Sequence, residues 1–285
     1  MNDHVDLHLH SVHSDGVLDP AALVALLVQS GVQTFALTDH DTIAGVAAAA
    51  AGARAAGLVA LAGIELSASW LGRTIHVVGL AIDPESAATV DAVASRHALR
   101  HERARTIAAR LERAGAPGAA ALERLAGIEV PTRTHFARAL AELGAARDAT
   151  AAFERWLGHG KPGHVPAEWP DLESTVAGIR AAGGTAVLAH PLRYRLSAGQ
   201  RRTLVKAFAA GGGEALEVVT GGLAPHQIET AVGLALRAGL AGSVGSDCHD
   251  PSLPWHRPGR LAKLPEAVVP VWDRWPLAPA RALER

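Results

Sequence analysis

Two histidines one residue apart, His8 and His10, open the list of residues that could do chemistry. Side chains alternate along an extended segment, so both imidazoles face one side, at a spacing that suits one transition metal. Taken alone, the pair could also be polar residues on a solvated strand face. Asp15, in Ser14-Asp15-Gly16, reads as a ligand or as a turn residue. In Thr38-Asp39-His40-Asp41, Asp41 could cap a following helix, but His40 lies between two carboxylates. Glu65 follows Gly63-Ile64 in a run that should be buried. A buried carboxylate needs a cation or a proton, which favours a ligand role. His76, in Thr74-Ile-His-Val-Val, reads either as a hydrogen-bonded core histidine or as a ligand. His190-Pro191 and Asp247-Cys248-His249 complete the set. Nitrogen and carboxylate ligands without thiolate suit Zn²⁺, Mn²⁺ or Fe²⁺. Nine such residues are too many for one ion. Three ions sharing a bridging carboxylate fit the count better than two.

These residues need elements to hold them. Val5 to His10 alternates, with Val5, Leu7 and Leu9 on one face and Asp6, His8 and His10 on the other. Asp19-Pro20 opens a helix to about Ser30, with Asp as cap and Pro in the first turn. The same reading predicts strands at 34–38, 58–66, 73–82, 185–189, 215–220 and 243–246. Helices are predicted at 42–56, 85–114, 172–182, 200–210 and 225–238. Asp39, Glu65, His190 and Asp247 then recur at the carboxyl ends of apolar strands. In a closed parallel barrel those ends converge on one mouth, where barrel active sites sit. Residues 98–165 differ, being helical, Arg-rich and without a good strand. They read as an inserted helical cap, leaving 1–97 and 166–285 as the metal-binding barrel.

Composition narrows the function classes. The chain has 285 residues, 49% hydrophobic and 19% charged, with a net charge of −1. It can bury a sizeable core, and its neutrality argues against a general nucleic-acid or membrane-surface binder while leaving room for a local basic pocket. One cysteine, Cys248, excludes an intrachain disulfide and a thiolate zinc site. It should point away from Asp247 and His249 and pack in the core. The start carries no secretory signal. The longest apolar stretch, Gly45 to Leu66, contains Arg54, Glu65 and four glycines, so it is no membrane span. The expectation is a cytoplasmic protein with no obligate protein partner.

The ordered motifs Asp6-x-His8-x-His10, Ser14-Asp15-Gly16, Thr38-Asp39-His40-Asp41, Gly63-Ile64-Glu65, Ile75-His76, His190-Pro191 and Gly245-Ser246-Asp247-x-His249 resemble the polymerase-and-histidinol-phosphatase (PHP) domain over nearly the whole chain. The resemblance implies a distorted (β/α)₇ barrel holding three divalent ions, with Mn²⁺ favoured and Zn²⁺ or Fe²⁺ as alternatives. It implies that His8, His10, Glu65 and Asp247 bind one ion. Asp15, His40 and His249 would bind the second. Glu65, His76 and His190 would bind the third, with Glu65 bridging. The inserted region looks most like the branch that holds 3′,5′-nucleotide bisphosphate phosphatases and 5′-to-3′ oligoribonucleases. Arg100, Arg103 and Arg105, Arg133-Thr134-His135-Phe136-Ala137-Arg138 and Gly160-Lys161-Pro162 carry that likeness. Thr134, Ala104, His159 and His164 depart from it.

What this implies is a phosphoesterase acting on a small bisphosphorylated nucleotide or on the 5′ ends of short oligoribonucleotides. A metal-bridging hydroxide would attack, and no Ser or Cys nucleophile is needed. Arg100, Arg103, Arg133, His135 and Lys161 are expected to bind the second, non-reacting phosphate. For the helix arginines the alternative is a solvated face, which fits Arg105 and Arg110. Asp39, Asp41 and His249 are expected to assist catalysis, the two aspartates by orienting imidazoles or shuttling a proton. A histidinol-phosphate phosphatase and a non-catalytic metal-binding scaffold stay open as alternatives. The complete ligand set favours an enzyme.

Overall fold

A computed structural model describes residues 4–166 and 168–275. Its centre is one seven-stranded sheet whose strands follow chain order. They are β1 (Val5–Leu9), β2 (Thr34–Leu37), β3 (Val59–Trp70), β4 (Arg73–Leu80), β5 (Thr185–Leu188), β6 (Ala215–Thr220) and β7 (Ala241–Gly245). The sheet curls until β7 returns to β1. The Asp247 N–H donates to the His8 carbonyl at 2.9 Å, and the His10 N–H donates to the Cys248 carbonyl at 3.1 Å. The result is a nearly closed barrel with helices outside it.

The barrel is not uniformly parallel, contrary to the parallel frame used above to place the ligands. β1, β2 and β3 pair in parallel, as do β5, β6 and β7, but β4 runs antiparallel to both β3 and β5. The physical reason is a hairpin. Leu71 and Gly72 both take positive φ, 47° and 71°, the backbone a two-residue turn needs to match strand twist. β3 therefore continues to Trp70 instead of stopping near Leu66. His76 comes to the mouth from within an antiparallel strand, not from the end of a parallel one.

The helices start and stop as their residues dictate. α1 (Pro20–Gln29) begins with Asp19 accepting from the Ala22 N–H. α2 (Val46–Ala56) starts later than expected, because the Thr42 hydroxyl accepts from the Ala44 N–H and holds 42–45 as a loop. α3 (Ala87–Arg113) is one continuous 27-residue helix through positions 97 and 98. Its first half packs on the barrel. Its second half joins α4 (Gly118–Arg124), α5 (Arg133–Glu142) and α6 (Ala149–Ala152) around a separate apolar cluster that includes Ile107, Leu111, Phe136, Leu140 and Leu157. The barrel core, with Ile64, Val77, Val187, Leu216 and Phe208, is distinct from it. α7 (Leu172–Ala181), α8 (Ala198–Ala210) and α9 (Pro225–Ala238) complete the outer layer. No described helix is long and apolar enough to cross a membrane.

Candidate metal centre

β1 supplies the floor. Asp6, His8 and His10 share its inner face and are fully buried. Asp6 lies deepest and accepts from the Ser246 N–H at 2.8 Å; burial pushes its carboxyl up to about 7. The turn after β2 presents His40, and β3 presents Glu65, which is 0% exposed. His76 pairs with Ser67 across the hairpin and reaches Glu65 diagonally. His190 follows β5, and Asp247 and His249 follow β7. Three of these turns hold non-glycine residues at positive φ: Asp41 (52°), His190 (29°) and Asp247 (54°). Such backbone costs on the order of 1–3 kcal/mol per residue, and it clusters where side chains must be aimed.

Glu65 is the centre of the arrangement. His40 Nδ1 lies 2.8 Å from its carboxylate, His76 Nδ1 and His190 Nε2 both 3.0 Å, His8 Nε2 3.2 Å and His10 Nε2 3.4 Å. Asp247 Oδ1 is 3.1 Å from His10 Nε2, and Asp15 Oδ1 is 3.1 Å from His249 Nε2. Three sets of ligand atoms come within mutual reach: His8, His10, Glu65 and Asp247; His10, Asp15, His40 and His249; and His40, Glu65 and His76. His10 joins the second set, which the resemblance did not imply. His190 meets Glu65 without completing the third, where His40 stands beside His76.

Divalent cations fit this site on two observations. His8 Nε2 and His10 Nε2 face each other at 3.1 Å, with two carboxylates beside them. Buried Asp15 Oδ1, His40 Nδ1, Glu65 Oε2, His76 Nδ1 and Asp247 Oδ1 approach one another closely yet make no well-aligned hydrogen bond. Buried polar atoms are normally satisfied, so a cluster of orphans marks a place for a cation. The charge balance agrees. Burial alone would raise Glu65, yet His40, His8 and His76 hold it well below the usual carboxylate range. Burial opposes ionisation of Asp15 too, and His249 and His40 overcome it. Burial and neighbouring His249 push His10 down to about 3. Burial would lower His249 as well, but Asp15 and Asp247 push it up to about 9.

The two aspartates expected near the reaction are turned elsewhere. Asp39 accepts from the Ser11 N–H at 2.7 Å and from the Ser11 and Ser14 hydroxyls at 2.6 Å each, bracing the loop after β1. Asp41 accepts from the Ser67 N–H at 2.7 Å and from Arg100 Nε at 2.7 Å, with Arg96 Nε at 3.4 Å. The expected substrate contact by Arg100 is corrected by the same pair. Its guanidinium is buried, held by Asp41 and by the Ser67 hydroxyl at 3.2 Å, because α3 brings it down onto β3.

The remaining residues expected at the substrate lie farther along α3 and in the segments after it. Arg103 donates to the Val165 carbonyl at 2.7 Å and lies 5.8 Å from the Trp169 ring centre. Arg133 lies 5.3 Å from the Phe153 ring centre. Burial, then Arg133, Arg100 and Arg110, bring Arg103 down to about 10, so these guanidinia crowd one another. Lys161 is exposed. His135 caps α5, its Nδ1 accepting from the Thr132 N–H at 3.1 Å, and burial pushes it down to about 4. Arg110 is not simply solvated, since it donates to the His164 carbonyl. Arg105 does lie on the exposed face, paired with Glu102. Cys248 packs with Leu9, Leu23 and Phe35, and burial pushes its thiol up to about 12.

Two residues that matter were not anticipated, and a third, Arg138, was named only as part of a motif without a role. Glu217, buried in β6, accepts from His8 Nδ1 at 2.7 Å and from the His190 N–H at 2.6 Å. Its sequence signal was the one read for Glu65: a lone carboxylate in an apolar strand. Arg193 pairs with Asp247 and donates to the Gly221 carbonyl at 2.8 Å. Arg138 donates to the Asp15 carbonyl at 2.8 Å, tying the cap to the centre. Arg193 sits in a loop that carries no such signal, and the motif holding Arg138 did not say what it would touch.

Comparison with known proteins bears on the whole length. The PHP domain family profile matches residues 6–164. A 5′-3′ exoribonuclease of Haemophilus influenzae is 41% identical over 276 residues, covering 96% of this chain and 100% of that protein. A 3′,5′-nucleoside bisphosphate phosphatase of Chromobacterium violaceum is 40% identical over 273 residues, covering 94% and 95%. The solved structure of an amidohydrolase from Chromobacterium violaceum, with bound sulfate and no metal, superposes with a TM-score of 0.90 at 39% identity, covering 98% of this chain and 99% of that one.

Proposed function

The chain belongs to the PHP domain family, and on that premise we propose that it is a cytoplasmic, metal-dependent phosphoesterase. Its substrates are nucleoside 3′,5′-bisphosphates, converted to 5′-monophosphate and phosphate, and the 5′ ends of short oligoribonucleotides. The observation that carries the reading is the convergence of five imidazole nitrogens within 3.4 Å of one buried carboxylate, Glu65. The names of the relatives supply the two substrate classes.

His8, His10, Asp15, His40, Glu65, His76, His190, Asp247 and His249 are the residues that would hold the cations, three in number and Mn²⁺ by preference. Bound there, such ions supply a deprotonated water at neutral pH and neutralise phosphoryl charge. The residues of the chain then have separate tasks. Glu217 orients His8, and Asp39 fixes the loop that carries Asp15. Asp41 sits on Arg100 and Arg96 and sets the turn that aims His40. His249 and His76, the more exposed members, form the lip through which substrate enters.

The cap at 98–165 is the specificity element of this reading, and the barrel at 1–97 and 166–285 is the reacting part. The separate apolar cluster of the cap supports that division. Arg103, Arg133, His135 and Lys161 are the groups this reading assigns to a second phosphate, Arg100 being paired with buried Asp41. In both substrates the P–O3′ bond breaks, water oxygen joins phosphorus, and the 3′ oxygen takes a proton.

The test is phosphate or mononucleotide release, with Mn²⁺, from adenosine 3′,5′-bisphosphate, a short 5′-phosphorylated RNA and histidinol phosphate. Turnover of the first two is expected. Preference for histidinol phosphate, or no turnover by fully metallated protein, overturns the reading. Arg133→Ala should lower kcat/KM on the bisphosphate roughly ten- to a hundred-fold, the worth of one charge-assisted contact. It should leave p-nitrophenyl phosphate nearly unaffected. Equal losses on both would make Arg133 structural.

A further inference from the structure

The mouth of the barrel has two unlike sides. On one, the cap reaches over β1 to β4: Arg138 binds the Asp15 carbonyl and Arg100 binds Asp41, while Trp169, just after the cap and beside Arg103, donates to the Thr74 hydroxyl at 3.2 Å. On the other, after β5 to β7, there is no cap. That side carries Arg193 and the segment after His249, with one exposed aromatic, Trp255, 58% accessible. Trp255 is the sole aromatic among the exposed large apolar side chains of the described residues.

Its position is held by backbone that tolerates nothing larger than glycine. A Cβ on Gly221 would stand 2.6 Å from the Trp255 carbonyl and 2.5 Å from the Ser246 carbonyl. A Cβ on Gly222 would touch the Trp255 side chain at 3.4 Å. Next along the chain, His256 Nδ1 lies 3.0 Å from the Ser246 carbonyl. Arg193 links the Gly221 carbonyl to Asp247. The indole is thus fixed one short chain of contacts away from the ligand carboxylate, with its surface in solvent.

Resting on the phosphoesterase reading above, the substrate chemistry shows what such a surface is for. A 3′,5′-bisphosphate ends at the scissile phosphate. In RNA that phosphate continues into the 5′ oxygen of the next nucleotide. With the 5′ phosphate held on the cap side, the next nucleotide must leave across the opposite rim, after β5 to β7. Every base has a π-face, and an exposed indole stacks on it without sequence preference. We propose that Trp255 is the stacking platform for the nucleobase on the 3′ side of the scissile phosphate. It is a subsite that oligoribonucleotides use and bisphosphates do not.

The test compares adenosine 3′,5′-bisphosphate with a 5′-phosphorylated RNA trinucleotide on the metal-loaded protein. Trp255→Ala should lower the ratio of kcat/KM for RNA over bisphosphate by about tenfold, and Trp255→Phe should restore most of it. Replacing the second nucleotide of the RNA by an abasic residue should lower wild-type turnover by a similar factor and cost Trp255→Ala nothing more. Equilibrium binding of a hydrolysis-resistant phosphorothioate trinucleotide, read by fluorescence anisotropy, should weaken in step. The proposal is overturned if Trp255→Ala slows both substrates equally. It is overturned too if the abasic penalty persists in that variant, or if the wild type cleaves bisphosphate and not RNA. A wild type that turns over neither substrate defeats the phosphoesterase reading itself.

Discussion

Replacing Glu217 by glutamine tests whether the centre is held from behind. Both carboxylate oxygens of Glu217 face donors: Oε1 meets His8 Nδ1 at 2.7 Å, and Oε2 meets the His190 N–H at 2.6 Å and the Thr220 hydroxyl at 3.3 Å. For His8 to offer Nε2 to a cation, Nδ1 must carry the proton, and a carboxylate accepts it. Glutamine has the same shape and one acceptor oxygen. If that oxygen serves the His190 N–H, the amide NH₂ faces His8 Nδ1 and favours the opposite tautomer, with the proton on Nε2. If the amide flips, the fixed backbone donor of His190 loses its partner. In the first case His8 loses the Nε2 lone pair it would offer a cation; in the second a buried donor is left unsatisfied, at a cost of about 1–3 kcal/mol. Removal of such an outer partner typically weakens metal affinity about 10–100-fold. Titration calorimetry with Mn²⁺ on chelator-treated protein gives the affinity, and elemental analysis gives the stoichiometry. Circular dichroism checks that the fold persists. Glu217→Gln with wild-type affinity and full occupancy refutes the argument, because His8 then needs no carboxylate to hold its tautomer.

Glu65→Gln removes a charge from the point where five imidazoles meet, so at least one ion and most activity should be lost while the far-ultraviolet spectrum is kept; an unchanged metal content sinks the bridging role. Arg100→Met leaves the buried Asp41 carboxylate with Arg96 alone and should cost about 3 kcal/mol, lowering the thermal midpoint by roughly 6–12 °C. A change confined to KM, with the midpoint unmoved, would return Arg100 to substrate binding.

Much of the site was legible because its residues defy their surroundings. A histidine pair on an alternating strand, or Glu65 inside an apolar run, costs free energy unless something offsets it, and the residue pattern alone exposes that conflict. The direction of β4 was not legible. Strand periodicity is the same in both directions, and only the backbone at Leu71-Gly72 decides it. Depth was not legible either. The helical spacing of Arg100 and Arg103 says that they share a face, but α3 slopes from barrel to cap, so the first is buried on Asp41 and the second lies nearer the surface. Glu217 was within reach of the same reasoning that found Glu65. Arg193 and Arg138 act through carbonyls and side chains distant in the chain; no local pattern marks Arg193, and the motif that contains Arg138 does not name its partner.

The seam between β1 and β7 governs when the centre can exist. Asp6 and Ser246, hydrogen-bonded across it, are 240 residues apart in the chain. At a synthesis rate of about 5–20 residues per second, the first histidines emerge from a ribosome roughly 12–48 s before Asp247. Through that interval the growing chain carries His8 and His10, and for most of it Glu65 as well, without the carboxylate that closes their set. Because ligand sites form only with the folded structure, cation capture waits for the barrel to shut. A chain still in translation therefore has no finished ligand set, and the centre is complete only once β7 has closed on β1.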